Sequence, residues 1–147
     1  MKLSIVIPVF NEAGTIAEII KRVQATGLAD EIIAVDDGST DGSREILQKF
    51  DGQNGLKVIL HTKNMGKGAA VRDGIKAAQG DLILIQDADL EYDPRDIKKL
   101  LEPIENDLAD VVYGSRFLGG PRRPTMFWHA VANRLWEPSS QFSESWA

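Results

Sequence analysis

The sequence contains no cysteine, and this absence excludes disulfide bonds, thiolate metal sites and a cysteine nucleophile. Only two histidines are present, His61 and His129, so a histidine-rich zinc site is excluded and a histidine general base is not expected. We interpret His61 as a residue at the end of a strand. The lack of cysteine is compatible with a reducing compartment, and we expect a cytoplasmic protein.

An excess of positive charge and a long apolar run are also missing. The formal net charge is -5 and the isoelectric point is near 5.0, which argues against a general nucleic-acid partner because such proteins carry a basic face. No uninterrupted apolar stretch approaches the roughly 20 residues that cross a bilayer. The first residues lead directly into a strand pattern without signal-peptide organisation, so we expect no transmembrane segment.

What the chain does contain is enough apolar material for one core, since 43% of its 147 residues are hydrophobic. The Ser-rich end, residues 137–147, has the composition of a disordered tail. We therefore expect one domain over residues 1–136 and a tail without structure after it.

Short apolar runs alternate with segments of helical spacing. The runs predict strands at residues 3–9, 31–35, 56–60, 82–85 and 111–113. The spacing predicts helices from Ile16 to Gly27, around 46–50, over 69–78, after an Asp93-Pro94 cap and over 127–136. Pro8 lacks a backbone donor, so we expect strand pairing to end there. This alternation predicts a parallel α/β sheet with helices on both faces.

Polar clusters follow each predicted strand, and in open parallel sheets ligands bind beyond the carboxyl ends of the strands. We therefore expect these clusters to converge on one rim of the sheet. They are Asn11-Glu12, Asp36-Asp37, Asn64 to Lys67, Asp87 with Asp89, and Ser115-Arg116.

Asp87 and Asp89 come directly after the apolar run at 82–85. In an extended chain, positions two apart point the same way, so the two carboxylates share a face. Their repulsion is relieved by a hard divalent cation such as Mg²⁺ or Mn²⁺, which takes oxygen ligands and often only one or two protein carboxylates. On this motif alone, solvated turn residues or helix caps remain the alternative.

Two familiar loop motifs are excluded. Gly66-Lys67-Gly68 matches neither phosphate-binding glycine pattern, because position 71 is Val. The segment from Asp37 to Gly42 begins like a calcium loop, but its twelfth position is Gln48 where a bidentate Glu is needed.

Taken together, the segments 6–12, 35–41, 64–69, 87–89 and 114–117 resemble glycosyltransferase family 2, in particular its dolichol-phosphate mannose synthase and polyprenyl-phosphate branch. The resemblance implies a GT-A fold, a nucleotide-sugar donor such as GDP-mannose or UDP-glucose, a divalent cation and transfer with inversion. Family members continue with further strands, so the resemblance also implies a GT-A sheet that is incomplete at the C-terminus.

The resemblance also implies roles for individual residues. A nucleotide-sugar pocket would be formed by Pro8, Asn11, Glu12, Asp36, Asp37, Lys67 and Asp87. Asp89 would be the main ligand of Mg²⁺ or Mn²⁺, joined by Asp87 and by Glu91, which stands where the branch often has Gln. Asp87, Asp89 and Arg116 would carry catalysis, with Arg116 approaching the phosphates.

A lipid-phosphate acceptor at the cytoplasmic face of a membrane is the partner that this branch implies. A phosphate monoester is largely a dianion at neutral pH, so it needs no catalytic base, and Arg116, Arg122 and Arg123 would form its cradle. Two alternatives remain. One is a family 2 transferase with a saccharide or other hydroxyl acceptor, or more distantly a sugar nucleotidyltransferase. The other is a donor-binding domain without catalysis.

Overall fold

The computed structural model describes residues 1–114 as an alternation of strands and helices. In chain order the elements are β1 (Leu3–Val9), α1 (Ile16–Thr26), β2 (Glu31–Asp36), α2 (Ser43–Phe50), β3 (Leu56–Leu60), α3 (Lys67–Ala77), β4 (Leu82–Ile85), a 3-10 turn (Pro94–Asp96) and α4 (Ile97–Glu105). The four strands pair in parallel in the order β3-β2-β1-β4.

β1 lies inside the sheet, and its seven residues are all buried. The strand has a neighbour on each side and helices above and below, so every side chain meets protein whichever way it points. This placement explains why the segment is apolar at nearly every position instead of alternating.

Helices cover both faces of the sheet, as the sequence predicts. α1, α2 and α4 bury Ile16, Leu47 and Ile97 against one face. On the other face α3 packs through Ala70 against Ile33 and Val35. The predicted parallel α/β sheet with helices on both faces is therefore confirmed.

Pro8 does not end the pairing of β1 with β2, which continues to the pair Val9 and Asp36. Neighbouring residues of a parallel strand direct their backbone groups to opposite sides. The carbonyl of Val6 accepts from the amide of Gln86 on the β4 side, so Pro8 faces that side too. β4 ends at Ile85, opposite Val6, and the missing donor of Pro8 therefore falls beyond it.

A predicted strand and the predicted start of α3 are also wrong. Residues 111–113 form no strand, because no strand within residues 1–114 pairs with them, and Val111 and Tyr113 are exposed. α3 begins at Lys67, two residues before the predicted start, so this lysine lies on the helix. The predicted helix at 127–136, the domain end at 136 and the tail at 137–147 lie outside the described residues.

Within residues 1–114 no helix combines the length and the apolar character that a membrane crossing requires.

Candidate functional site

A cleft of about 220 Å³ opens at the edge of the sheet where β1, β2 and β4 end. Its lining comes from the end of β1, from the loops that follow the four strands and from the start of α3, as predicted for an open parallel sheet. The lining residues are Pro8, Val9, Phe10, Glu12, Asp37, Asn64, Lys67, Ala70, Asp87, Ala88 and Asp89.

Lys67 and Asp87 form an ion pair inside this cleft, with 2.6 Å between Nζ and Oδ1. The lysine occupies the first position of α3, where the helix dipole disfavours a cation, so the carboxylate opposite offsets this cost. The side chain of Lys67 is 64% exposed and that of Asp87 is 27% exposed. The pair is therefore solvent-screened and breaks at little cost.

Asp89 lines the same cleft and lies in a tight turn, where the amide of Glu91 donates to its carboxylate Oδ1 at 3.2 Å. Glu91 itself is exposed and is not among the lining residues. The predicted set of three carboxylates is therefore not assembled, and no such group of three metal-binding side chains occurs anywhere in residues 1–114. Glu91 was included on the family resemblance, and the turn after Asp89 leaves it outside the cleft lining.

The remaining two carboxylates fit a hard divalent cation. Mg²⁺ commonly takes one or two protein carboxylates and completes its coordination with water and substrate phosphate. The ammonium group of Lys67 already lies against Asp87, which indicates that the local charge favours a cation beside this carboxylate. Asp87 and Asp89 would hold the metal, with the rest of its ligands coming from a bound phosphate.

The loop after β1 is fixed by the loop after β2. The backbone amides of Asn11, Glu12 and Ala13 donate to side chains of Ser39, Ser43 and Asp41, respectively. Asn11 adopts a positive φ of 54° and returns a bond, because its side-chain oxygen accepts from the amide of Thr40. Asn11 is exposed and outside the cleft lining, so its observed contacts hold the loop.

Glu12, by contrast, does line the cleft. Its Oε2 accepts from the hydroxyl of Thr15 at 2.7 Å, which orients the carboxylate at the start of α1.

The adjacent acids Asp36 and Asp37 have different environments. Asp36 is fully buried at the end of β2 and accepts from Nε and Nη2 of Arg44 at 2.8 and 2.6 Å. It is not among the cleft-lining residues, so its observed contacts join β2 to α2. Asp37 lines the cleft and accepts from the amides of Met65 and Gly66 and from the ring of His61.

The pKa of Asp37 reflects these contacts. Burial by itself would raise it, but the hydrogen bonds from His61, Met65 and Gly66 outweigh burial and hold the pKa below its ordinary value. The group is therefore an anion that organises the loop before α3. The loop before α3 can pass this close to the end of β2 because position 38 is a glycine. A Cβ at Gly38 would lie 2.6 Å from the backbone of Lys63 and Asn64.

Three residues at this edge were not assigned a site role from the sequence. Phe10 and Asn64 line the cleft, and His61 lies behind it as a partner of Asp37. The position of Phe10 directly after an apolar strand is a signal that sequence reading can use, and the structure adds that its ring is 45% exposed. Nothing in the sequence indicates the contact of His61, because its partner is 24 residues away. The predicted Arg116, Arg122 and Arg123 lie outside the described residues.

Known proteins share this sequence pattern. Residues 4–146 match the model of the family described as glycosyl transferase family 2. A dolichol-phosphate mannosyltransferase of Pyrococcus furiosus is 40% identical over 122 residues, which are 82% of this chain and 34% of that protein. A dodecaprenyl-phosphate galacturonate synthase of Rhizobium johnstonii is 36% identical over 79% of this chain and 36% of its own length. The chain thus spans about a third of these relatives.

Solved structures with a similar fold include two proteins in complex with nucleotides. Glucosyl-3-phosphoglycerate synthase from Mycobacterium tuberculosis, solved with Mn²⁺, uridine diphosphate and phosphoglyceric acid, is 28% identical with a TM-score of 0.59, over 70% of this chain and 38% of that one. S. aureus TarS in complex with UDP-GlcNAc is 26% identical with a TM-score of 0.62, over 82% and 37%.

These matches agree with the parallel sheet, the rim cleft and the ordered motifs, and they confirm the GT-A type of fold. The chain belongs to glycosyl transferase family 2.

Proposed function

We propose that this chain belongs to an inverting transferase that moves a hexose from a nucleoside-diphosphate donor to a polyprenyl phosphate. The cleft at the strand ends is the donor site of this proposal, with Mg²⁺ or Mn²⁺ as the cation. Support for the acceptor comes from the two relatives, whose names specify dolichol phosphate and dodecaprenyl phosphate.

The observation that carries the proposal is the meeting of Lys67, Asp87 and Asp89 in one cleft. These groups come from the start of α3 and from the segment after β4, so their meeting depends on the fold. A cation on a helix N-terminus beside two carboxylates suits a diphosphate neutralised by a metal ion. A purely structural ion pair would need only one of the two acids.

The rest of the cleft suits a nucleoside. Phe10 offers an exposed ring at the rim, against which a base can stack, and Pro8 adds apolar surface below it. Glu12, held by Thr15, offers a carboxylate to the hydroxyl groups of a ribose. Asn64 supplies an amide with both donors and an acceptor.

The reaction is a single displacement at the anomeric carbon of the donor. An oxygen of the acceptor phosphate forms the new bond to this carbon while the bond to the β-phosphate oxygen breaks, and one such displacement inverts the configuration. The divalent cation, when bound, neutralises charge on the departing diphosphate. Lys67 stabilises the same charge from α3, and Asp87 and Asp89 keep the cation in place.

A phosphate acceptor does not require a catalytic base in this cleft. An acceptor phosphate monoester with a second pKa near about 6 is already mostly a dianion at neutral pH. It attacks without losing a proton, whereas a sugar hydroxyl would need a carboxylate to remove one.

Calorimetry on the whole chain tests the donor site. We expect UDP, GDP, UDP-glucose and GDP-mannose titrations with and without Mn²⁺ to identify at least one nucleotide that binds more tightly with the metal. Asp89→Asn should reduce that affinity at least about 10-fold and remove its metal dependence, since one of two protein ligands is lost.

Asp110→Asn is the matched control, because it removes the same charge from an exposed residue outside the cleft. Its affinity should equal that of the unchanged protein. Failure of all four nucleotides to bind would contradict the proposal. Binding without sugar transfer to a short polyprenyl phosphate would favour a donor-binding domain without catalysis.

A further inference from the structure

His61 is a buried histidine between two carboxylates. It follows β3, and 8% of its surface is exposed. Its Nδ1 lies 2.7 Å from Oδ1 of Asp37, and its Nε2 lies 3.2 Å from Oδ2 of Asp73 on α3. The first contact is a hydrogen bond, whereas the second falls short of hydrogen-bond geometry and is an ion-pair contact.

This arrangement indicates which protonation state the pocket accepts. A neutral imidazole carries one N–H and one lone pair. If the N–H is directed to Asp37, the lone pair of Nε2 faces a carboxylate oxygen of Asp73 and is repelled. An imidazolium has an N–H on both nitrogens, so Asp37 keeps its donor, Asp73 faces a positively charged ring edge, and the buried charge is compensated.

The charges around His61 come from every element packed against it. Asp37 approaches from the end of β2, and Asp73 approaches from α3 together with Lys76, whose Nζ lies 3.2 Å from Oδ1 of Asp73. From α2, Arg44 donates to the backbone carbonyl of His61. Arg44 is itself neutralised by Asp36. The ring therefore faces two anions and no unpaired cation among these groups.

Asp37 connects His61 to the segment that borders the donor cleft. Its Oδ1 accepts from the amide of Met65 at 2.8 Å and its Oδ2 from the amide of Gly66 at 2.7 Å. These amides belong to the segment that carries Asn64 into the cleft and places Lys67 at the start of α3. A change in the orientation of the Asp37 carboxylate therefore displaces this segment.

We propose that His61 is a positioning residue of the donor site, which as an imidazolium ties Asp37 to Asp73 and thereby fixes residues 64–66 in front of Lys67. The effect on donor binding rests on the proposed function, whereas the link between the ring and the loop does not. A ring without its second proton turns a lone pair toward Asp73 and loosens the loop, so donor affinity falls when the ring is neutral.

Two substitutions distinguish the contact of the ring with Asp37 from its contact with Asp73. In His61→Asn the side-chain amide replaces Nδ1 and keeps a donor for Asp37. In His61→Gln the amide reaches toward the position of Nε2 and leaves Asp37 without its ring partner. We expect the Gln variant to lose about 10-fold in nucleotide affinity and the Asn variant to lose about 3-fold or less. We expect the affinity of the unchanged chain to show a pH step that depends on the protonation of this ring, and neither variant should retain that step.

His129→Gln is the control, because it removes the other histidine of the chain and should leave the pH step in place. Thermal unfolding of each variant separates positioning from a loss of fold. Equal losses in the Asn and Gln variants, or a pH step that persists in both, would overturn the proposal.

Nuclear magnetic resonance of the ligand-free chain tests the link without any donor. The amide signals of Met65 and Gly66 should titrate with the same midpoint as the ring protons of His61, and in His61→Asn this titration should vanish. Amides that do not respond while the ring titrates would overturn the inference even if nucleotides bind. A chain that binds no nucleotide but shows the coupled titration would refute the proposed function and leave the link standing.

Discussion

Lys67 competes with a divalent cation for the carboxylate of Asp87. Their ion pair joins groups that a metal ion and a diphosphate would separate, because the metal takes the carboxylate and the phosphate takes the ammonium. Exposed pairs of this kind are worth about 0.2–1 kcal/mol. The pair therefore keeps Asp87 oriented in the free protein and gives way at small cost.

Lys67→Met should strengthen the binding of Mn²⁺ alone and weaken the binding of nucleotide. Without its ammonium partner Asp87 is available, so we expect Mn²⁺ affinity to rise about 2- to 5-fold. The diphosphate loses a cation, so nucleotide affinity with Mn²⁺ should fall about 10-fold. Calorimetry of metal and nucleotide, each titrated separately, measures both changes.

Lys63→Met provides the comparison, since this exposed lysine lies in the loop before α3 and does not line the cleft. It should change neither affinity by more than about 2-fold. If Lys67→Met left the Mn²⁺ affinity unchanged, Asp87 would not be the site at which lysine and metal exchange.

At the scale of an element, α3 contains two glycines, Gly68 and Gly74, that have different surroundings. Gly74 faces the sheet, and a Cβ added there would clash with Val6 on β1 and crowd Val35 on β2. Gly68 lies in the first turn of the same helix with no atom within 4 Å of an added Cβ. The close approach of α3 to the sheet therefore needs a glycine at position 74 only.

Alanine substitutions at these two glycines should have opposite effects. Gly74→Ala forces α3 away from β1, and we expect a loss of about 1–3 kcal/mol in the free energy of unfolding. Gly68→Ala replaces a flexible residue in a helix and should add about 0.5 kcal/mol. Urea unfolding of both variants at one pH measures the difference. Equal effects would mean that α3 does not pack on Val6 as described.

At the scale of the whole molecule, hydrogen bonds hold several carboxyl groups in their charged form. The pKa values of Glu31, Asp37, Asp41, Asp73 and Asp93 all lie below their ordinary values. A carboxyl group with a depressed pKa stabilises the fold above its ordinary pKa, and that stabilisation is lost as pH falls through the folded-state pKa. The stabilisation that these carboxyl groups supply should therefore be complete above about pH 5 and decline toward pH 2.

Asp93 shows how large one such contribution is. Hydrogen bonds from the guanidinium of Arg95, and then from its backbone amide, lower the pKa of Asp93 to about 2. Asp93→Asn keeps a cap for the turn but removes the charge, and because Arg95 is exposed we expect a cost of at most about 1 kcal/mol at neutral pH. The difference from the unchanged chain should close between about pH 4 and 2.

Urea unfolding at a series of pH values measures this closure, with Asp110→Asn as a variant that removes an exposed charge elsewhere. A gap for Asp93→Asn that stays constant down to pH 2 would mean that the charge of Asp93 does not stabilise the fold.

Much of the architecture could be predicted from the sequence because it follows from local patterns. Apolar residues predominate in the runs that become β1 to β4, and the helical spacing of Ile16, Ile19 and Ile20 marks α1. The strand at 111–113 was predicted wrongly, since a short apolar run becomes a strand only where a neighbour accepts its hydrogen bonds. The rim location of the cleft followed from the parallel order alone.

The sequence by itself determined that Asp87, Asp89, Glu12 and Lys67 lie near one edge, because each follows a strand whose direction is fixed by the βα alternation. Only the tertiary structure decided which side chains enter the cleft. Arg44 donates to Asp36, which does not line the cleft, and His61 contacts Asp37, which does. The turn after Asp89 leaves Glu91 outside the cleft lining. Such choices depend on distances of a few ångströms between side chains that different elements supply, and no local pattern carries that information.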